Sequence, residues 1–125
     1  MSAYPSDAKY TKDHEWIRFQ GSEATVGITD FAQRQLGDIV YLELPAAGQQ
    51  VKQGDVLGQI ESVKAVSELF APVSGEVLAT NADLVSHPER INSAPHESWM
   101  VRIRPAAAAD AGALLDAAAY AALVG

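Results

Sequence analysis

The chain has 125 residues, with 16 acidic and 9 basic side chains, so its formal net charge at neutral pH is −7. This length suits a single domain, and we expect one domain over residues 1–125 with its core over about 9–104. The acidic balance excludes the basic face that nucleic acid or an anionic membrane would bind, so neither is expected as a partner. Because no cysteine is present, disulfides, thiol nucleophiles and thiolate metal ligands are excluded.

The N-terminal sequence MSAYPSDAKYTKDHEW has neither the basic start and apolar run of a secretory signal nor the Arg-rich pattern of a transit peptide. An apolar run of about 18 residues, which a membrane-spanning helix needs, is also missing from the sequence. We therefore expect a soluble, cytoplasmic, monomeric protein. The three histidines, His14, His87 and His96, lack the spacing of metal ligands, so no metal site is expected.

Short runs of alternating or β-branched residues recur between Gly, Pro, Asn and Asp, and this pattern predicts a mostly β sandwich or small barrel. A helix of about two turns is predicted after the second strand, because Thr29 is a suitable N-cap, Asp30 favours the first turn, and Gly37 can end the helix in a left-handed conformation. In chain order, the strands are predicted at residues 16–20, 23–28, 39–43, 55–63, 65–70, 75–78 and 99–103.

The C-terminal segment is rich in alanine, which favours a helix over about 110–123 after the linker-like sequence RPAAAA. Leu114, Leu115, Ala118 and Ala122 would share one face of that helix. The sequence therefore predicts a C-terminal helix that docks on the domain through these four residues.

A short internal repeat surrounds one lysine. The sequence GDVL at 54–57 is echoed by GEVL at 75–78, and Lys64 lies near the midpoint between the two glycines. A chain folded with approximate two-fold symmetry would place Lys64 at the apex of a hairpin. The turn lacks the Asn-Gly or Asp-Gly pair of a type I′ hairpin, so a turn of type I is expected, with Val63 and Ala65 covering its base.

The chemistry of Lys64 leaves two alternatives open at this point. Its amine ends a flexible four-carbon stem and is a natural site for attachment of an acyl group through an amide. Catalysis as a Schiff base or general base is disfavoured, because Glu61 and Glu68 nearby stabilise the charged form of the lysine. The other alternative is an ordinary solvated side chain at the tip of a hairpin.

The hairpin sequence ESVKAVSE, with the following APVSGEV, resembles the lipoyl-attachment region of the glycine cleavage H-protein family. The resemblance covers residues 9–100 and implies the flattened barrel-sandwich hybrid of lipoyl and biotinyl carriers. Lipoyl domains of 2-oxo acid dehydrogenases have Asp before the lysine and biotin carriers have Met on both sides, so Val63 and Ala65 fit those relatives less well. Four further stretches resemble the family in its order: KYTKDHEW, VGITDFAQ, LGDIVYLELP and HPERIN.

This resemblance implies a non-catalytic carrier with lipoate in amide linkage on Lys64. The attachment motif would comprise Glu61, Ser62, Val63 and Ala65. The implied partners are a pyridoxal-phosphate glycine decarboxylase, a tetrahydrofolate-dependent aminomethyltransferase, a flavin-containing dihydrolipoyl dehydrogenase and the enzymes that attach lipoate. The chain would carry an aminomethyl group between the first two enzymes and electrons to the third.

In this family the loaded arm is expected to fold against the carrier body, where carboxylates would hold its amine. By motif position, Glu15 and Glu68 are candidates for these acids, although both could be solvated surface residues. His14 could orient Glu15 or cap a turn. Two other functions remain open: a protein that donates lipoate to other enzymes, and an unmodified β interaction module. The segment PHESW at 95–99 departs from the glycine-containing segment usual in the family, which puts the conformation of this loop in doubt.

Overall fold

In the computed structural model, which describes residues 4–106, 112 and 114–124, the described backbone forms nine strands and four short helices. The strands form two antiparallel sheets, one of six strands and one of three. Within the described residues, no helix combines the length and the apolar character needed to cross a bilayer. The elements are β1 (Lys9–Tyr10), β2 (Glu15–Gln20), β3 (Glu23–Ile28), α1 (Asp30–Leu36), β4 (Ile39–Glu43), β5 (Gln50–Val51), β6 (Val56–Ser62), β7 (Val66–Phe70), β8 (Gly75–Thr80), α2 (Ala82–Ser86), α3 (Arg90–Ser93), β9 (Val101–Pro105) and α4 (Ala117–Val124).

The larger sheet has the order β1-β2-β3-β9-β8-β5 and the smaller sheet the order β4-β6-β7. No strand of the described chain belongs to both sheets, so they face each other as a sandwich and are not closed into a barrel. This architecture confirms the mostly β fold with a short internal helix and a C-terminal helix. The core between the sheets is built from buried apolar side chains that include Ile17, Val26, Leu42, Ile60, Leu69, Val77 and Ile103.

Burial of these side chains supplies the main stabilisation of the sandwich, because each fully buried Leu, Ile or Val contributes about 1.5–3 kcal/mol. A second buried cluster lies beside the first and contains Ala8, Tyr10, Trp16 and Tyr120. Trp16 is fully buried in this second cluster. Its indole lies against Gly27, where a Cβ would meet the ring at 2.6 Å, so only glycine fits opposite this tryptophan.

All seven predicted strands are present, with their ends shifted by at most two residues. The sequence did not predict β1 and β5, because each has only two residues and so shows no periodicity. It also did not predict the short helices α2 and α3. The helix α1 is confirmed together with its signals. The Thr29 side chain accepts a hydrogen bond from the Ala32 N–H, and Gly37, at φ +80°, donates its N–H to the Gln33 carbonyl.

The prediction for the C-terminal helix was wrong in its start and in its buried face. The predicted positions 110, 111 and 113 lie outside the described residues, and helix α4 begins at Ala117. Leu115 instead pairs with Tyr10 as an extended segment, through backbone hydrogen bonds of 2.8 and 2.7 Å. Ala118 and Ala122 are exposed and Tyr120 is buried. An aromatic ring buries far more area than a methyl group, so Tyr120 decides which face of this alanine-rich helix docks.

Candidate functional site

Lys64 lies at the tip of the β6–β7 hairpin and is exposed to solvent. The two strands pair in register up to Glu61 and Val66, and the Ser62 N–H donates to the Ala65 carbonyl across 2.8 Å. This bond closes a loop of two residues, Val63 and Lys64. The structure therefore places the lysine at the apex that the internal repeat predicts.

The hydroxyl of Ser62 organises this loop. Its oxygen lies 3.3 Å from the Lys64 N–H and 3.0 Å from the Ala65 N–H, both of which donate to it. His14 is the one non-glycine residue with positive φ in the described ranges. Both loop residues thus have negative φ, which excludes type I′ and II′ turns and agrees with the expected type I. The expectation that Val63 and Ala65 cover the base was wrong, because Val63 is 69% exposed and Ala65 is also exposed.

The hairpin tip rests on the corner between α1 and β4. The Val63 N–H donates to the Asp38 carbonyl across 3.0 Å, which extends the β4–β6 pairing beyond the end of β6. The stem of Lys64 crosses Gly37, where a Cβ would lie 3.4 Å from the lysine Cε. The segment that supports the tip therefore lies about 27 residues before Lys64 in the sequence.

Glu15 is a buried acid at the start of β2, with 1% of its surface exposed. Its carboxylate oxygens accept hydrogen bonds from Thr11 Oγ1–H at 2.7 Å and from the Phe70 N–H at 3.1 Å. Burial raises the pKa of Glu15 to about 7, and the two hydrogen bonds oppose that rise. A carboxyl group with this pKa changes its protonation near neutral pH.

A cleft of about 200 Å³ opens beside this acid, and we call it the Glu15 cleft. One wall is the turn that leads into β2, and the other is formed by the segments before β6 and after β7. The described residues that line it are Thr11, Lys12, Asp13, Glu15, Gln53, Gly54, Phe70, Ala71, Pro72 and Leu114. The cleft thus combines two acids, Glu15 and Asp13, and one cation, Lys12, with several apolar residues, and its carboxylates suit a short chain that ends in a cation.

Glu68 is not among the residues that line this cleft; its side chain is exposed on β7, where it pairs with Gln59. It precedes Phe70 by two residues, so both side chains point to the same face of the sheet. Strand β7 begins near Lys64 and ends at Phe70. The cleft and the lysine are therefore separated by about 17–20 Å along one strand, at ~3.4 Å per residue.

His14 does not contact the carboxylate of Glu15 through any hydrogen bond that the structure describes; its Nδ1 lies 2.8 Å from the Tyr120 hydroxyl. That hydroxyl also lies 2.7 Å from Thr29 Oγ1, so one phenol joins the β2 turn, the start of α1 and helix α4. Burial lowers the pKa of His14, and its ring lies against Phe31 at 4.6 Å between centroids. His14 adopts φ +69°, a left-handed conformation that histidine tolerates better than most residues.

Apart from Glu15, sequence reasoning did not assign the residues of the cleft, and three of them show why. Thr11 precedes Glu15 by four residues, and a hydroxyl residue so placed before an acid is a signal for a local turn. Phe70 contributes its backbone N–H, and this contribution does not depend on the residue type, so the sequence does not reveal it. Leu114 lies before the start of α4 and lines the cleft, whereas the sequence predicted helix there.

The loop 95–99 has a defined set of hydrogen bonds. Trp16 Nε1–H donates to the Pro95 carbonyl at 3.0 Å, and Ser98 Oγ–H donates to the Ala94 carbonyl at 2.7 Å. The Asp30 N–H donates to His96 Nε2 at 3.1 Å, so this loop satisfies one backbone donor at the start of α1. The loop holds its conformation without the glycines usual in the family.

Two small antiparallel sheets, a lysine displayed on a two-residue hairpin loop and a buried acid bound to the far end of β7 are the features of a small carrier protein. Comparison with known proteins gives the family. Residues 8–125 match the family model described as Glycine cleavage H-protein. The chain belongs to this family, whose members are non-catalytic carrier components of the glycine cleavage system.

Individual relatives show the same likeness over their full lengths. The glycine cleavage system H protein of Acidobacterium capsulatum is 52% identical, over 98% of this chain and 95% of its own length. That of Ralstonia nicotianae is 52% identical over 100% of this chain and 99% of its own. A crystal structure of a glycine cleavage system H protein from Mycobacterium marinum superposes with a TM-score of 0.87 at 39% identity, covering 95% of this chain and 97% of that one.

Proposed function

We propose that Lys64 carries lipoate in amide linkage and that the chain is the aminomethyl and electron carrier of glycine cleavage. The observation that carries the proposal is the display of Lys64 on a two-residue loop that Ser62 holds in place. An exposed amine on a fixed loop can enter the active site of an attaching enzyme without unfolding the carrier. The proposed attachment motif is Glu61, Ser62, Val63 and Ala65, of which Ser62 shapes the loop and exposed Val63 and Ala65 are free to be contacted.

Lipoate would supply the sulfur chemistry that a cysteine-free chain lacks, accepting an aminomethyl group and two electrons on its dithiolane. The proposed partners are the pyridoxal-phosphate glycine decarboxylase, the tetrahydrofolate-dependent aminomethyltransferase, the flavin-containing dihydrolipoyl dehydrogenase and a lipoate-attaching enzyme. The carrier itself lowers no chemical barrier. It raises the effective concentration of the bound group at each partner in turn, which is the benefit of tethering. In keeping with its bacterial relatives, we place the monomeric carrier in the cytoplasm.

Glu15 is proposed to hold the amine of the loaded arm in the Glu15 cleft. A cationic amine beside a buried carboxyl favours the ionised acid, so binding of the amine would lower the pKa of Glu15 from about 7. Thr11 and Phe70 already donate to the carboxylate oxygens, so the ionised form would be held without rearrangement. The apolar residues on one side of the cleft, Phe70, Ala71, Pro72 and Leu114, would shield part of the loaded group from water.

The two other candidates have different proposed roles. Glu68 lies on the exposed face of β7 between the hairpin and the cleft, where it would attract the cationic end of the arm on its way to Glu15. His14 would act through the backbone, because its side chain binds Tyr120 and its left-handed φ turns the chain into β2. In this proposal Glu15 alone contacts the amine in the cleft.

Intact-mass and peptide mass spectrometry of the protein purified from its own cells tests the proposal. A lipoyl group on the peptide that contains Lys64 is expected. Lys64 found bare, in cells whose other carriers are lipoylated, would contradict the proposal and favour an unmodified interaction module. Lipoyl on Lys64 that glycine decarboxylase fails to load would instead favour a role in donating lipoate to other enzymes.

A further inference from the structure

The side chain of Asn92 joins three parts of the chain that lie below the tip of the lysine hairpin. Its Oδ1 accepts the Ile39 N–H at 2.9 Å. Its Nδ2 donates to the Gly37 carbonyl at 2.8 Å and to Gln33 Oε1 at 2.9 Å. Helix α3, which contains Asn92, is anchored by Ile91, buried in the core. The hydrogen-bonding capacity of this amide is therefore directed at the corner where α1 ends and β4 begins.

These bonds fix the orientation of Asp38. Asn92 binds the carbonyl of the residue before Asp38 and the N–H of the residue after it, so both flanking peptide groups have a set direction. The Asp38 carbonyl then points at the hairpin and accepts the Val63 N–H at 3.0 Å. A local chain of hydrogen bonds thus runs from Asn92 to the residue that immediately precedes Lys64.

The same corner also contacts the lysine itself. Gly37 has φ +80°, which a side chain rarely adopts, and a Cβ there would lie 3.4 Å from Lys64 Cε. The stem of the lysine therefore lies along the glycine. Residues 37 and 38 support the tip from below, while Ser62 shapes it from within.

We propose that the lipoyl-attachment site consists of two separate chain segments, the hairpin 61–65 and the corner 37–38, and that Asn92 is the positioning residue that joins them. This inference rests on the proposed attachment of lipoate to Lys64. An attaching enzyme must bring the amine of Lys64 within bonding distance of an activated acyl group, and small misplacements of reacting groups cost large factors in rate. Asn92 lies 28 residues after Lys64 in the chain, so the hairpin sequence alone does not specify the site.

The test compares rates of lipoyl attachment to unmodified protein in the presence of a lipoate–protein ligase, lipoate and ATP, followed by intact mass. Asn92→Ala removes all three hydrogen bonds, and Asn92→Asp keeps the size and the acceptor for Ile39 but loses the amide donor. Asn81→Ala is the matched control. Asn81 also binds a backbone carbonyl and N–H, those of Trp99 and Leu84, but at α2.

We expect both Asn92 variants to lose about tenfold or more in kcat/KM for attachment, since a displaced reacting group costs up to about a hundredfold. Asn81→Ala should lose stability without that loss in rate. Hydrogen exchange of the Val63 amide supplies a readout independent of attachment. It should become faster in both Asn92 variants and stay unchanged in Asn81→Ala.

A second pair of variants probes the corner directly. Gly37→Ala places a side chain at φ +80°, which strains the corner beside the lysine stem, and should slow attachment, whereas Gly21→Ala, at positive φ but away from the corner, should not. Attachment to the Asn92 variants at the rate of Asn81→Ala would overturn the inference and leave the proposed function intact. Failure of the unsubstituted protein to acquire lipoyl on Lys64 would overturn the proposed function, and the inference with it.

Discussion

The backbone N–H of Phe70 donates a hydrogen bond to the carboxylate of Glu15, 55 residues earlier in the chain, across 3.1 Å. Phe70 ends β7, the strand that follows the Lys64 loop, so this bond ties the buried acid of one sheet to the second strand of the lysine hairpin in the other. Displacement of β7 would break it and leave a buried acceptor without this donor. The geometry of the cleft and the position of the hairpin are consequently coupled through one strand.

Replacement of Lys64 by arginine keeps the charge but removes the amine that could form a lipoyl amide. We expect Lys64→Arg to carry no lipoyl group and to support no glycine cleavage in a reconstituted system. Its free energy of unfolding should stay within about 0.5 kcal/mol of the original, because the residue is an exposed one. Lys52→Arg, at another exposed lysine, should retain full activity, and retained glycine cleavage in Lys64→Arg would refute the carrier function.

Glu15→Gln keeps the size of the buried side chain but removes its charge. We expect the loaded arm to lose its aminomethyl group about tenfold faster, since hydrogen bonds to charged groups are worth about 1.5–3 kcal/mol against about 1 for neutral ones. The measurement is the decay of the loaded form, followed by mass. Glu43→Gln, an exposed acid on β4, is the control, and an unchanged lifetime in Glu15→Gln would show that this acid does not hold the amine.

The raised pKa of Glu15 also predicts a pH dependence of stability in the unloaded protein. The folded-state pKa of about 7 exceeds the unfolded value of 4.5, so the folded chain retains a proton that the unfolded chain releases between these values. Stability contributed by this group is thus fully present below pH 4.5 and is lost as the pH rises through 7. The loss amounts to about 3 kcal/mol, because one pKa unit corresponds to about 1.4 kcal/mol.

Urea denaturation at several pH values tests this dependence. The free energy of unfolding of the original protein, minus that of Glu15→Gln, should fall between pH 4.5 and 7, since the glutamine variant carries every other titrating group unchanged. A difference that is constant over this range would mean that Glu15 is ionised throughout in the folded protein.

The Tyr120 hydroxyl connects helix α4 to His14 and Thr29, and the ring is fully buried. Tyr120→Phe keeps the ring and leaves both partners short of a hydrogen bond, so we expect a loss of about 1–3 kcal/mol in the free energy of unfolding. Chemical denaturation measures this loss. Tyr41→Phe, at a half-exposed tyrosine, should change stability little, and equal stability of both variants would contradict the role of the shared hydroxyl.

Local signals account for what could be predicted correctly from the sequence. Thr29 and Gly37 mark the ends of α1 through hydrogen bonds that close within a few residues, and the structure contains both. Strands β2 to β4 and β6 to β9 follow from alternation and turn residues, which are also local properties. The position of Lys64 at a hairpin apex was predictable because a repeat of turn and strand flanks it on both sides.

The sequence by itself therefore determined the seven longer strands, where α1 begins and ends, and that Lys64 occupies a tip. Only the tertiary structure decided that Glu15 is buried against the Phe70 N–H, that Leu115 pairs with Tyr10 as extended chain, and that Asn92 supports the corner below the lysine. Burial and backbone pairing depend on which distant segments meet. Side-chain type specifies the local conformation. A backbone N–H, by contrast, is present in every residue except proline, so the sequence does not show which distant acceptor it will bind.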